Sequence, residues 1–104
     1  MQQIVRKAYF YGGLFEVNEY TLIPRPETEI ILECLGQYFD KQDKFKMLDI
    51  GTGSGCISVT AAKIFPKAQI TGVDICQECV DISQKNAIFH RVEDNVDFVL
   101  SDVY

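Results

Sequence analysis

Gly51-Thr52-Gly53-Ser54-Gly55 is the densest run of special backbone positions in the chain, and three carboxylates stand in a fixed relation to it. Asp49 lies just before the loop. Asp74 closes the apolar run 68–73, and Asp102 follows the apolar run 96–100 and Ser101. Glycines let a backbone turn sharply and let a ligand approach without a Cβ in the way. A carboxylate at a strand end can accept hydrogen bonds from both ribose hydroxyls of a nucleoside-like ligand, and Asp74 is so placed. Ile75 can pack on an adenine ring, Asp102 can reach the ring's amino group, and Asp49 can hold an amino group directly or through water. Each has a plainer reading beside this one. Asp74 can cap the next helix, Ile75 can be core, Asp102 can be a solvated strand end, and Asp49 can brace the loop.

These side chains need elements to hold them. Residues 45–50 form a short apolar segment ending in Asp49-Ile50, so a strand is expected, with the glycine loop after it. Residues 56–65 read as a helix with Ile57, Ala61 and Ile64 on one face, stopped by Pro66. A strand is expected over 68–73, a helix over 77–89 with Val80, Ile82, Ala87 and Ile88 among its apolar residues, and a strand over 96–100. Strand, helix, strand, helix, strand implies an α/β fold whose parallel sheet has right-handed crossovers. Its ligand then belongs outside the carboxyl ends of the strands.

Upstream, Tyr9-Phe10-Tyr11 and Leu14-Phe15-Glu16-Val17 flank Gly12-Gly13, which predicts a β-hairpin turning at the glycines, with the aromatic run in its core. Tyr20-Thr21-Leu22-Ile23 is a further extended run. Pro24-Arg25-Pro26 forces an extended turn, and Pro26 suits the first position of a helix. Ile31, Leu32, Leu35, Tyr38 and Phe39 place that helix at roughly 27–39.

The loop spacing separates two cofactor classes. Dinucleotide binders prefer G-x-G-x-x-G, which requires glycine or alanine where this chain has Cys56. The G-x-G-x-G spacing after an acid resembles the class I methyltransferases, whose cofactor is S-adenosyl-L-methionine. Bulk properties exclude other classes. The chain has 104 residues, 47% apolar and 24% charged, and its net charge is −5 with no basic run. It therefore lacks the positive surface on which nucleic-acid binding normally rests. No apolar run approaches the ~18 residues of a membrane span. No signal peptide opens the chain, so a cytoplasmic protein is expected. Of the four cysteines, Cys76 and Cys79 form a C-x-x-C at a strand-to-helix junction. Redox or metal chemistry uses this spacing, but zinc needs two further ligands and the chain has one histidine, His90, in a polar loop expected at the surface. Structural cysteines are the expectation.

Leu22-Ile23-Pro24-Arg25-Pro26-Glu27-Thr28-Glu29 resembles the signature that precedes the glycine loop in the HemK/PrmC protein-glutamine methyltransferases. Phe10 to Val17 is similar to that family's hairpin, and residues 48–57, Gly72-Val73-Asp74-Ile75, Asn86-Ala87 and Ser101-Asp102 match as well. The resemblance implies a partial class I S-adenosylmethionine-dependent methyltransferase sheet of Rossmann-like type with an N-terminal β-hairpin. It divides the chain into a hairpin and linker, 1–24, and the N-terminal half of the methyltransferase domain, 25–104. It implies methyl transfer to the glutamine side-chain amide in the Gly-Gly-Gln motif of peptide chain release factors. The implied cofactor residues are Asp49, Gly51, Thr52, Gly53, Gly55, Asp74, Ile75 and Asp102, with Arg25, Pro26, Thr28 and Glu29 near the methionine end and substrate entrance. The family's Asn-Pro-Pro-Tyr clamp does not occur among these 104 residues, which end at Asp102-Val103-Tyr104. No catalytic residue is therefore expected in the chain, and isolated activity is not expected. The alternatives are a non-catalytic adenosyl-binding module and a methyltransferase of nucleic-acid amino groups. Without its next neighbour, the strand at 45–50 becomes an apolar sheet edge, which predicts self-association.

Overall fold

The computed structural model describes residues 5–18 and 26–101. The extended run at 20–23, Arg25 and Asp102 lie outside the described residues. A two-stranded antiparallel hairpin, β1 (Val5–Phe10) and β2 (Gly13–Asn18), comes first. Helix α1 (Pro26–Tyr38) follows, then β3 (Lys46–Ile50), α2 (Cys56–Ile64), β4 (Gln69–Asp74), α3 (Gln77–Phe89) and β5 (Val96–Leu100). Strands β3, β4 and β5 form one parallel sheet in the order β3-β4-β5. The expected α/β class and element order are borne out, with boundaries displaced by a residue where helix or strand ends fray.

The hairpin turns one residue earlier than the sequence suggests. Tyr11 and Gly12 are its central residues, at φ 50° and 76°, and Gly13 already pairs with Phe10. Positive φ at both central positions is the turn type whose twist matches the strands. Tyr11 adopts it although it is not glycine, and its N–H is held at 2.9 Å by Glu29 Oε1 from the first turns of α1. The expected aromatic core is only partly realised: Phe10 and Phe15 are buried and meet edge to face, whereas Tyr9 and Tyr11 are exposed.

The sheet is covered on one side. Alternation puts Ile70, Gly72 and Asp74 of β4 on the same face as Val96 and Phe98 of β5, and this face meets α2 and α3. Helix α2 is buried nearly all round, with Ser58, Val59, Ala61 and Ala62 closed off from solvent. Its small side chains allow close approach to both β4 and α1. Phe39 stacks on Phe45 at 4.1 Å between centroids, and Phe65 meets Phe45 edge-on at 5.2 Å, sealing the end of the sheet away from the glycine loop. The opposite sheet face carries Leu48 (61% exposed), Ile50 (53%) and Val99 (45%). Parallel sheets are ordinarily buried on both faces, so the apolar surface left open is a face as well as the β3 edge.

Gly72 shows why the packed side needs its composition. A Cβ there would lie 2.7 Å from the Phe98 ring and 2.9 Å from Thr52 Oγ1. The missing side chain of β4 is the space into which Phe98 packs, beneath the glycine loop.

Candidate functional site

The carboxyl ends of β3, β4 and β5 meet at the glycine loop. Gly51 and Thr52 donate their N–H groups to the Val73 carbonyl at 2.8 and 3.0 Å, and Ser101 donates to the Asp74 carbonyl at 2.9 Å. The loop is thus tied to the end of β4 before α2 begins. Gly51, Gly53 and Gly55 all have positive φ, at 73°, 60° and 82°, which L side chains adopt only under strain. Their surroundings differ. A Cβ on Gly51 or Gly53 would meet nothing within 4 Å, while one on Gly55 would press at 3.0 Å on Phe98 and Ser83. The first two glycines border open space and the third is a packing device at the start of α2.

Asp49 sits at the end of β3, half-buried. Its Oδ2 accepts hydrogen bonds from Ser58 Oγ at 2.6 Å and Thr52 Oγ1 at 3.0 Å. Burial pushes its pKa above the ordinary carboxylate value; the two hydroxyl hydrogen bonds oppose this, and the neighbouring Asp74 charge adds to it. Asp74 closes β4. Its Oδ2 accepts the Gly53 N–H and its Oδ1 the Cys76 N–H, each at 3.0 Å. The bracing reading of Asp49 is therefore realised, whereas Asp74 does not cap α3, whose N-cap is Cys76, and instead holds the Gly53 and Cys76 N–H groups. A carboxylate offers about four acceptor sites, so each oxygen of Asp74 retains capacity for a further donor. Ile75 is not core: it is 62% exposed at the mouth beside Asp74. Thr28 lies half-buried in the first turn of α1, and among the described residues no hydrogen bond joins it to the loop.

Helix α3 holds the loop from behind. Ser83 Oγ donates to the Gly53 carbonyl at 2.8 Å, and Asn86 Nδ2 donates to the Ser54 carbonyl at 2.7 Å. The same Asn86 amide also donates to the Glu16 carbonyl at 2.9 Å and accepts the Glu16 N–H at 2.8 Å, fastening the hairpin to the loop. Sequence reasoning took no site role from Ser83 or Asn86. The available signal was their position: with Cys79 they recur at helical spacing on the buried side of α3, where polar residues need partners. His90 is likewise not a surface histidine. It stacks on Phe15 at 4.4 Å between centroids, and its Nε2 hydrogen-bonds to the Leu14 carbonyl at 2.7 Å. Burial draws its pKa down, as does the Lys63 charge, against the opposing pull of the Leu14 carbonyl.

An adenosyl group fits this donor set. Open space lies over Gly51 and Gly53, a carboxylate with spare acceptor capacity stands at the end of β4, and an exposed aliphatic side chain adjoins it. Among the described residues no cluster of metal-ligating side chains accompanies them.

A family model described as ribosomal protein L11 methyltransferase (PrmA) matches residues 25–103. The chain belongs to that methyltransferase family. Its sequence relatives include release factor glutamine methyltransferases of Koribacter versatilis, 44% identical over 102 residues, and of Chlorobaculum tepidum, 41% identical over 107 residues. Each of these alignments takes in 98% of this chain and 36% of the relative, so the chain spans about a third of the proteins it matches. The relative from Bacillus subtilis bears the same name at 38% identity. The expected resemblance to the release-factor glutamine methyltransferases is borne out. The family description names a ribosomal-protein enzyme and the relatives name a release-factor enzyme. The relatives are the finer guide, because they align over nearly the whole chain, hairpin included. Among solved structures, a methyltransferase from Geobacter sulfurreducens in complex with S-adenosyl-L-homocysteine superposes at TM-score 0.62 and 27% identity, over 75% of this chain and 30% of that one. An RNA methyltransferase from Salinibacter ruber, also with S-adenosyl-L-homocysteine, superposes at 0.60 and 29% identity, over 77% and 50%. The expected Rossmann-like methyltransferase class is thereby borne out.

Proposed function

We propose that the chain is the S-adenosyl-L-methionine-binding half of a methyltransferase that modifies the glutamine side-chain amide of peptide chain release factors. The observation that carries the cofactor assignment is the pairing of open-faced Gly51 and Gly53 with Asp74 at the end of the adjacent strand. The named relatives supply the substrate class. In this reading Asp74 accepts from the ribose hydroxyls and Ile75 lies along the adenine. Asp102 takes the adenine amino group, and Asp49 and the Gly51–Gly55 backbone hold the methionine end, with Thr52, Arg25 and Thr28 bordering it. The cofactor supplies the electrophilic methyl group. This chain's residues bind and orient it, and the groups that hold the substrate amide lie outside these residues.

The same reading keeps the hairpin segment 1–24 as a unit distinct from 25–104, and places the protein in the cytoplasm. Among the described residues no helix is long and apolar enough to cross a membrane. It also includes self-association of the isolated 104-residue chain through the uncovered sheet. Methylation of nucleic-acid amino groups is the second reading, favoured by the likeness to the RNA methyltransferase and opposed by the net charge of −5. Calorimetric titration decides the cofactor: S-adenosyl-L-homocysteine binds the wild-type chain and binds Asp74→Ala at least about tenfold more weakly, the equivalent of one charge-assisted hydrogen bond. Equal binding by the two, or binding of NADH in its place, overturns the assignment.

A further inference from the structure

The Cys76–Cys79 pair has no part in the site described above, yet it touches that site. Cys76 is the N-cap of α3 and Cys79 lies one turn on, a spacing at which helical geometry brings two side chains together. Cys76 is half-buried and Cys79 is 3% exposed. Both are reduced, and the Cys76 side chain lies near enough to help raise the Cys79 thiol. Cys76 Sγ in turn donates to Glu78 Oε1 at 3.5 Å. The Cys76 N–H is one of the two backbone donors that hold Asp74; the Gly53 N–H is the other. The remaining cysteines offer no such arrangement: Cys34 is exposed on α1, and Cys56 is buried against Ser54.

We propose that Cys76 and Cys79 form a modification site for small disulfides, closing reversibly into an intramolecular bridge whose formation is felt at Gly53 through Asp74. Cys76 is the attacking sulfur, because it is the more accessible of the two. Burial and the Cys76 contact push the Cys79 thiol up to about 12, which leaves it as the resolving group. Cys76 thiolate attacks one sulfur of an oxidised disulfide such as glutathione disulfide; that S–S bond breaks and the first thiolate leaves, taking up the Cys76 proton. Cys79, losing its proton to solvent, then attacks Cys76 Sγ and expels the second thiolate, which is protonated in turn. Two protein thiols are oxidised and one disulfide is reduced to two thiols.

Closure draws the two sulfurs into a bond of about 2.05 Å and removes the thiol proton that Glu78 accepts. The N-cap must shift, and with it the Cys76 N–H on Asp74. The consequence for ligand rests on the cofactor reading above; the bridge itself does not.

The experiment uses the whole chain in a Cys34→Ser background, equilibrated with glutathione disulfide or with dithiothreitol. Intact mass reads the loss of two hydrogens, and amide hydrogen exchange reads the Gly53 and Cys76 N–H groups. Oxidation is expected to close the bridge, to speed exchange at Gly53 about tenfold, and to weaken S-adenosyl-L-homocysteine binding about tenfold. Dithiothreitol restores all three, and Cys76→Ser and Cys79→Ala respond in none. A glutathione adduct that persists on Cys76, a bridge elsewhere, or a closed bridge with unchanged Gly53 exchange overturns the proposal. A bridge that closes and quickens Gly53 in a chain whose reduced form binds no adenosyl ligand upholds the modification site and overturns the cofactor assignment instead.

Discussion

Asn86 pairs with Glu16 as a neighbouring strand would. Its side-chain amide accepts the Glu16 N–H at 2.8 Å and returns a hydrogen bond to the Glu16 carbonyl at 2.9 Å. Its second amide hydrogen reaches the Ser54 carbonyl, so one buried residue joins the hairpin, α3 and the glycine loop. Asn86→Ala strands three backbone groups at once. A buried group left without its partner costs about 1–3 kcal/mol, and water reaching the partly buried Glu16 recovers part of this. A loss of about 2–4 kcal/mol is expected by urea denaturation. Asn86→Asp keeps the acceptor and loses both donors, so it should fall close to the alanine variant rather than to wild type. A loss below about 1 kcal/mol for both would mean that the hairpin is not fastened through this amide.

The glycine loop should respond asymmetrically to a methyl group. Gly53→Ala meets no neighbour and incurs only the positive-φ strain, about 1–2 kcal/mol. Gly55→Ala incurs the same strain and also presses on Phe98 and Ser83 at 3.0 Å, for about 2–4 kcal/mol in all. Ligand affinity should rank the other way, with Gly53→Ala losing more than about tenfold where it borders the open space. Denaturation and calorimetry on the two variants check both rankings.

Asp49 should trade stability against binding. Its folded pKa is raised above 3.8 by burial. Its contribution to stability is therefore greatest below pH 3.8 and is lost as pH rises through the folded value. Above that folded value the ionised carboxylate works against folding. Asp49→Asn keeps an acceptor for Ser58 and Thr52 and removes the buried charge, so at pH 7 it should be at least as stable as wild type. It should bind S-adenosyl-L-homocysteine about tenfold more weakly, having lost the charge opposite the ligand's amino group. A less stable but fully binding variant would reverse both assignments.

His90 links the hairpin to pH. Its neutral form donates from Nε2 to the Leu14 carbonyl and accepts at Nδ1 from Lys63 Nζ, 3.3 Å away. Protonation turns Nδ1 into a second donor facing an ammonium group. The folded pKa lies below 6.5, so the unfolded chain takes up the proton first. The His90 contribution is complete above pH 6.5 and disappears as pH falls through the lower folded value. His90 is the only histidine, so a single imidazole NMR titration reports it directly. Lys63→Met should raise that titration midpoint, and His90→Gln should flatten the stability profile across this range.

The uncovered sheet sets the behaviour of the isolated chain. Leu48 and Ile50 of β3 and Val99 of β5 present apolar surface on one sheet face, and among the described residues no strand pairs with the outer edge of β3. Light scattering should show concentration-dependent association of the 104-residue chain, reduced by Leu48→Lys on this exposed face. A monomer at all concentrations would show the open sheet to be tolerated alone.

The expected hairpin turn at Gly12-Gly13 failed for a physical reason that spacing does not carry. Tyr11 accepts positive φ because Glu29, far along the chain, captures its N–H. The superficial reading of His90 failed likewise, because its partners Leu14 and Phe15 lie in the first hairpin. The edge at β3 was legible from strand order, but the open face was not: an apolar strand reads the same whether one or both of its faces are covered.

Local pattern by itself determined the order of strands and helices, the loop between β3 and α2, and acids at the ends of β3 and β4. Period-two and helical spacing, broken by Gly and Pro, are properties of neighbouring residues and need no tertiary contact. Only the tertiary structure decided how the loop is held. Asn86 finds Glu16 across 70 residues, Ser83 reaches the Gly53 carbonyl, and Phe98 fills the space that Gly72 leaves. Buried polar groups must be satisfied by whatever the fold brings near, and packing must fill whatever volume is left. Both are settled by distance in space, which the linear spacing of residues does not record.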